Sequence, residues 1–166
     1  MASVDVLILM GSDSDAPVMR AAGDSLTEFG LRWEMTVASA HRSPARVLRL
    51  LDDAHARGVK VFIIGAGAAA HLAGVVAAHT TRPVIGVPID SSPLKGEDAL
   101  LSTVQMPPGV PVATMAIGKS GATNAGICAA QMIALGDDAL ANRLVAHKKT
   151  LADKVEAAAK RLAETT

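Results

Sequence analysis

Trp33-Glu34-Met35-Thr36-Val37-Ala38-Ser39-Ala40-His41-Arg42-Ser43-Pro44 holds a strand, a loop and a helix start in one short stretch. Trp33, Met35 and Val37 alternate with polar residues, the period of a strand. Ser43-Pro44 then opens an amphipathic helix with Val47, Leu48, Leu51 and Ala54 on one face, and Gly58 follows it. The segment Ser39–Pro44 therefore sits at the carboxyl end of a strand, the edge where open α/β sheets bind ligands. It offers an imidazole that exchanges protons near neutral pH, a guanidinium that can fork onto a phosphate, and two hydroxyls. A loop histidine by itself proves little, so the neighbouring loops decide its meaning.

The same alternation runs outward in both directions. Val4–Met10 is an apolar run broken only by Asp5, suited to a strand buried on both faces. Gly11-Ser12-Asp13-Ser14-Asp15 ends it, and Pro17 fits a first helical turn. Val18, Ala22, Leu26 and Phe29 recur at helical spacing up to Gly30. Beyond Gly58, Val59–Ile64 reads as a third strand, Gly65–His71 as a loop, and the small residues toward His79 as a helix. Pro83–Val87 reads as a fourth strand, Asp90–Pro93 as a loop and Gly96–Val104 as a short helix. Val112–Ile117 is the fifth strand, and Gly118-Lys119-Ser120-Gly121 opens a helix over 121–135. Five strand–helix alternations predict an α/β fold, a parallel sheet covered on both faces in a three-layer α/β/α sandwich.

The helix over 121–135 is apolar or small all round, which predicts burial on every side. In a domain this small, that points to a subunit interface. Asp137-Asp138 then caps a long final helix. Leu140, Leu144, Leu151, Val155, Ala158 and Leu162 form a narrow apolar seam among charges. The chain so divides into an α/β catalytic domain over 1–136 and a C-terminal helix over 137–166. That helix packs either on the domain edge or on a neighbouring subunit.

Half of the 166 residues are apolar, and the aromatics are limited to Phe29, Trp33 and Phe62, so the core is built from small aliphatics. Lys plus Arg equals Asp plus Glu at 16 each. That balance leaves no electrostatic footprint for nucleic acid or an anionic membrane. The single cysteine, Cys128, allows neither an internal disulfide nor a Cys-cluster metal site. With no signal-peptide layout at Met1–Asp5 and no apolar run of membrane length, a cytoplasmic protein is expected.

Two nucleotide-binding patterns nearly match. Gly118-Lys119-Ser120 resembles the end of a phosphate-wrapping Walker A loop, but Ala113 occupies the first required glycine. Gly65-x-Gly67-x-x-Ala70, with Asp90 twenty residues on, satisfies a loose dinucleotide fingerprint on the wrong strand. Its glycine and alanine read better as residues that let a helix pack close to the sheet. Gly11–Asp15 places donors and hydroxyls at a helix N-terminus, either as an anion site or as simple capping. Asp15 repels a phosphate and suits ribose hydroxyls better. His71, in an apolar setting, reads alone as a satisfied core histidine, and Lys119 as a solvated loop lysine. Taken jointly, the loops after strands one, two and three meet at one sheet edge. There they can hold a phosphorylated ribose (Ser12, Asp15, Arg42), an acid/base (His41) and a small dry pocket (65–70). A dry wall matters when a reaction releases a species that water would carry off.

Five segments in order carry a resemblance. They are Met10-Gly11-Ser12-x-Ser14-Asp15, Ser39-Ala40-His41-Arg42-x-Pro44, and Gly65-Ala66-Gly67-x-Ala69-Ala70-His71-Leu72. Val104-Gln105-Met106-Pro107-x-Gly109-Val110-Pro111 and Ala116-Ile117-Gly118-Lys119-x-Gly121-Ala122-x-Asn124-Ala125 complete the set. Over about residues 4–160 the chain resembles the PurE family of 5-(carboxyamino)imidazole ribonucleotide mutases of purine (IMP) biosynthesis. The resemblance implies a flavodoxin-like sheet, a homo-octamer and a cofactor-free, metal-free reaction. A carboxylate moves from the exocyclic nitrogen to the neighbouring ring carbon. It implies His41 as the acid/base, and Ser12, Asp15 and Arg42 at the ribose phosphate. His71 and the Gly65–Ala70 loop, with Gly67 and Ala70, would line the carboxylate pocket, and Ser39 and Leu72 would also bind substrate.

The chain also departs from the family pattern. Ala68 stands where the family generally has Gly, and Ala73 where it generally has Pro. Ala16-Pro17 and Asp90–Lys95 are unusual versions of their loops. A sister branch carboxylates the aminoimidazole ribonucleotide with carbon dioxide directly, and its third loop typically lacks Ala69-Ala70-His71-Leu72. A flavodoxin-like binding module without catalysis is the remaining alternative. It leaves His41 beside Arg42 unexplained.

Overall fold

The computed structural model describes residues 3–165. Five strands, β1 (Val6–Met10), β2 (Trp33–Val37), β3 (Val61–Gly67), β4 (Val84–Ile89) and β5 (Ala113–Thr114), form one parallel sheet in the order β2-β1-β3-β4-β5. Helices α1 (Ala16–Glu28), α2 (Pro44–Ala56), α3 (Leu72–Ala78), α4 (Glu97–Val104), α5 (Lys119–Ala134) and α6 (Asp138–Ala163) follow in the expected alternation. This is the flavodoxin-like order, in which the direction of winding reverses between β1 and β3.

Each central strand feeds two cores. Val6, Ile8 and Met10 pack with Met19, Ala22 and Leu26 of α1 and Ala122, Ala125 and Ala129 of α5. Leu7 and Leu9 pack on the other side with Val47 and Leu51 of α2, Leu72 and Val76 of α3, and Ala99 of α4. Burial on both faces explains why β1, β3 and β4 read as continuous apolar runs rather than alternating ones. β2 lies at the sheet edge and keeps its alternation, with Glu34 exposed.

Small residues set the layer spacing. α1 and α5 approach closely because Gly126 has no side chain: a β-carbon there would press on the Ala22 carbonyl. Gly65 likewise yields its space to the Met19 thioether. That contact, with Gly65–Gly67 lying in the ladder of β3 beside Val87–Ile89, removes the dinucleotide fingerprint. Those glycines are strand residues that admit a neighbour, not a loop that wraps a pyrophosphate.

One expectation changes, and two helices take a more definite form. The fifth strand is only two ladder residues long, although the Met115 N–H still donates to the Gly86 carbonyl at 2.8 Å. Gly118 and Gly121 then turn the chain sharply into α5, where a β-carbon at 121 would strike the Ala116 carbonyl. Within the single chain α5 is not buried on all sides. Its Gly121, Ala122, Ala125, Gly126, Ala129 and Ala130 face is covered, while Asn124 and Gln131 are exposed and Ile127 and Cys128 half-buried. α6 docks only by its first turns: Leu140 is buried against Phe29 and Ala130, and His147 stacks edge-on to Phe29 at 5.3 Å. From Lys148 to Thr165 every residue is exposed. Among the described residues no helix is long and apolar enough to cross a membrane.

The amino ends of the strands are fastened by Asp5. Its carboxylate accepts from Arg32 Nε at 3.0 Å, from Arg32 Nη2 and the Arg32 backbone N–H, each at 3.2 Å, and pairs with Lys60 Nζ at 3.2 Å. One buried side chain thus joins the entries to β1, β2 and β3. Burial pushes this carboxyl up, but the Arg32 and Lys60 contacts outweigh it and hold Asp5 below its ordinary value. A lowered carboxylate stabilises the fold above the unfolded-state value, about 3.9, and that stability is lost as pH falls through the lowered folded value. Asp5→Asn is therefore expected to lower Tm at pH 7. The gap to the unsubstituted protein should close progressively below about pH 4 in a thermal-melt pH series.

Candidate active site

β1 and β2 end level where Met10 pairs with Val37, and β3 pairs with Met10 at Gly65 and runs two residues further, to Gly67. The loops that leave them consequently meet at the carboxyl edge, across the point where the winding reverses. They enclose an open cleft of about 280 Å³.

After β1, Ser12 caps a 3-10 turn at Asp13–Asp15 that runs directly into α1. The cap is reciprocal: the Ser14 N–H donates to Ser12 Oγ at 3.3 Å, and the Ser12 N–H donates to Asp15 Oδ2 at 3.2 Å. The capping reading of this loop is thus correct, and it coexists with exposure to the cleft, which both Ser12 and Asp15 line. Asp15 is only 5% exposed. Burial pushes its carboxyl above the ordinary value despite the Ser12 N–H and the nearby Arg42 charge.

After β2, Ser43 Oγ accepts from the Ser39 N–H and donates to the Ser39 carbonyl, each at 3.2 Å, which fixes the bend before Pro44. Arg42 lies across the edge. Its Nη2 donates to the Gly11 carbonyl at 2.8 Å, and its Nε and backbone N–H reach Ser39 Oγ at 3.4 and 3.1 Å. The guanidinium thereby joins the first loop to the second.

After β3 comes the decisive contact. His41 Nε2 lies 2.8 Å from His71 Nδ1, with the rings edge-on at 4.8 Å between centroids. The two nitrogens cannot both carry a proton in this arrangement, so one donates and the other accepts. His71 is exposed rather than a core histidine. It stands at the start of α3, and the chain turn before that helix aims it across the cleft.

Gly67 and Leu72 line the cleft as expected, but Ala70 does not. Its side chain is 1% exposed and packs into the core beneath the loop. The methyl there fills space against α3, so only Ala66, Gly67 and Ala69 face the cavity. Sequence reasoning also passed over Ser14, Ala40 and Ser91, which line it. Ser91 follows β4, whose carboxyl end shares the same edge. The strand–helix alternation places that loop there, and its serine was the available signal. Among the described residues no three His, Cys, Asp or Glu side chains gather closely enough to hold a metal ion.

A parallel sheet with paired histidines and a cationic, hydroxyl-lined cleft at its winding reversal is the frame of a nucleotide-modifying α/β enzyme. The sequence model of the AIR carboxylase family matches residues 5–154, and the chain belongs to that family. It is 50% identical over 153 residues to the N5-carboxyaminoimidazole ribonucleotide mutase of Brucella melitensis, covering 92% of this chain and 94% of that one. It is 54% identical over 137 residues to the mutase of the same name from Bacillus subtilis, covering 82% and 85%. The crystal structure of Treponema denticola PurE superposes with a TM-score of 0.87 at 28% identity, covering 95% of this chain and 97% of that one.

Ala68 gives the site a strained point. It adopts φ +51°, in the left-handed region that disfavours a β-carbon, directly after the end of β3. A non-glycine residue there costs roughly 1 kcal/mol. Ala68→Gly is therefore expected to hold or raise stability, by up to about 1 kcal/mol, against the usual sign of an Ala→Gly change. Denaturant unfolding of the two proteins measures it, and a clear loss of stability would show that the loop is not strained.

Proposed function

We infer that this chain is an N5-carboxyaminoimidazole ribonucleotide mutase, an isomerase of purine biosynthesis. The observation that carries the mechanism is the His41–His71 contact at the cleft wall, with Arg42, Ser12 and Ser39 at one end and the Ala66–Ala69 loop at the other. The substrate's phosphate lies toward Arg42, Ser39 and the Ser12 loop, where a helix N-terminus and a guanidinium both favour an anion. Asp15, whose Oδ2 already accepts the Ser12 N–H, presents its other oxygen to a ribose hydroxyl.

The carboxylate carried on the exocyclic nitrogen then points to Gly67, His71 and Leu72. Ala70 supports that wall from behind. His41 gives a proton to the nitrogen as the carbon–nitrogen bond breaks, and the bonding pair stays on nitrogen. Carbon dioxide is left in the small cavity. The electron-rich ring carbon attacks it, the new carbon–carbon bond forms, and His41 takes the proton from that carbon. One proton is given and one regained, so a single imidazole serves as acid and then base. The aminoimidazole supplies the electrons and carbon dioxide is the electrophile, so the steps call for no cofactor. His71, bonded to His41, fixes which nitrogen of that ring bears the proton at rest.

The same reading assigns the chain to the cytoplasm and to a homo-octamer. The half-covered outer side of α5 and the exposed second half of α6, with Leu151, Val155 and Leu162 uncovered, support an assembly. Light scattering is expected to give a particle eight times the 16.9 kDa chain mass. A monomer would refute the assembly.

The activity is tested by converting the carboxyamino ribonucleotide without added bicarbonate or ATP. The unsubstituted protein should turn it over, and His41→Asn should lose at least about a hundredfold in kcat, as on removal of a general acid/base. Inert protein that instead carboxylates the uncarboxylated ribonucleotide from bicarbonate would make it a carboxylase. Reaction of neither substrate would leave a binding module.

A further inference from the structure

The carboxylate end of the cleft is walled by the apolar groups Ala66, Gly67, Ala69 and Leu72, with the His71 ring beside them. One hydroxyl intrudes among them. Ser91, on the loop after β4, lines the same cavity, and its Oγ occupies the place a β-carbon on Gly67 would take. Gly67 pairs with Ile89 in the ladder, so the register of β3 and β4 brings this loop against it. Ser91 Oγ makes no hydrogen bond with any described residue. Its neighbour behaves differently. Ser92 Oγ donates to Asp98 Oδ1 at 2.9 Å and accepts from the Leu94 N–H at 3.1 Å, which fastens the loop to α4. The loop is thus held by Ser92, while the Ser91 hydroxyl is left free at the cavity wall.

We propose that Ser91 is a further substrate-positioning residue, whose hydroxyl donates to the carboxylate that the reaction moves. This rests on the mutase reading above. Apolar walls grip nothing, and in an open cleft an unheld carbon dioxide can rotate or leave before the ring carbon attacks. A hydroxyl that bonds one carboxylate oxygen before transfer and again after it keeps the carbon within reach between the two events. The bond between Ser91 and substrate is a hydrogen bond throughout, so the proton and electron balance of the transfer is unaltered. The missing side chain at position 67 acquires a reason. Glycine there makes room for this hydroxyl, and a β-carbon would displace it.

The test compares Ser91→Ala with Ser92→Ala in buffer containing ¹³C-bicarbonate and carbonic anhydrase, with the unlabelled carboxyamino ribonucleotide as substrate. Mass spectrometry reads the label in the carbon-carboxylated product. The unsubstituted enzyme should transfer its own carboxylate with little label. Ser91→Ala should lower kcat about tenfold, the effect of losing a hydrogen bond to a charged group, and raise the labelled fraction severalfold, while KM shifts by less than about threefold. Ser92→Ala should leave the labelled fraction low. Unchanged kcat and labelling in Ser91→Ala would overturn the proposal. So would equal escape in both variants, which would mean that only loop order matters. Should the unsubstituted protein fail on this substrate, the mutase reading falls instead, and the two failures are told apart by that control.

Discussion

A parallel sheet is stable only when both faces are covered, and that requirement dictates where this protein can carry out chemistry. Every strand must be followed by a crossover helix, so all five strands point the same way and all their carboxyl ends share one edge. The central strands are too apolar and too tightly packed to carry catalytic groups. Function is confined to the loops that leave them, and the reversal of winding between β1 and β3 opens the space in which those loops can face one another.

Close packing extends this constraint into the site. Gly126 lets α5 approach α1, and Gly65 admits Met19 beneath the third loop. With its floor fixed by such contacts, the Gly65–His71 segment has little freedom, and Ala68 is held at a positive φ. Strain at that point accompanies the turn that carries His71 to within 2.8 Å of His41. At the far end of the sheet Asp5 joins the same three strands through Arg32 and Lys60. The register at the carboxyl edge is thus secured from the opposite edge as well as from the core.

The outer surface follows another logic. α5 spends its smallest residues inward and leaves Ile127, Cys128 and Gln131 partly or fully open, while α6 leaves the body of the chain after about three turns. Apolar residues at Val145, Leu151, Val155 and Leu162 remain uncovered along it. A lone helix in water gains little from such a seam, whereas packing against other copies would bury it.

Periodicity along the chain reports whether a residue faces a core, because burial imposes a repeat of two on strands and near 3.6 on helices. By that means the sequence itself determined the five alternations, the two-sided sheet, and the polar loops holding Ser12, Asp15, Ser39, His41 and Arg42. Its ordered motifs also pointed to the family. Periodicity carries no record of which strands are neighbours. Only the tertiary structure decided that β1 lies between β2 and β3, and so that His41 meets His71 thirty positions away. It also turned Ala70 into the core, reduced the fifth strand to a short ladder, and set Ser91 against Gly67. Each of these outcomes depends on strand register and on the space left by a distant side chain. Those are properties of contacts between segments, which no single segment encodes.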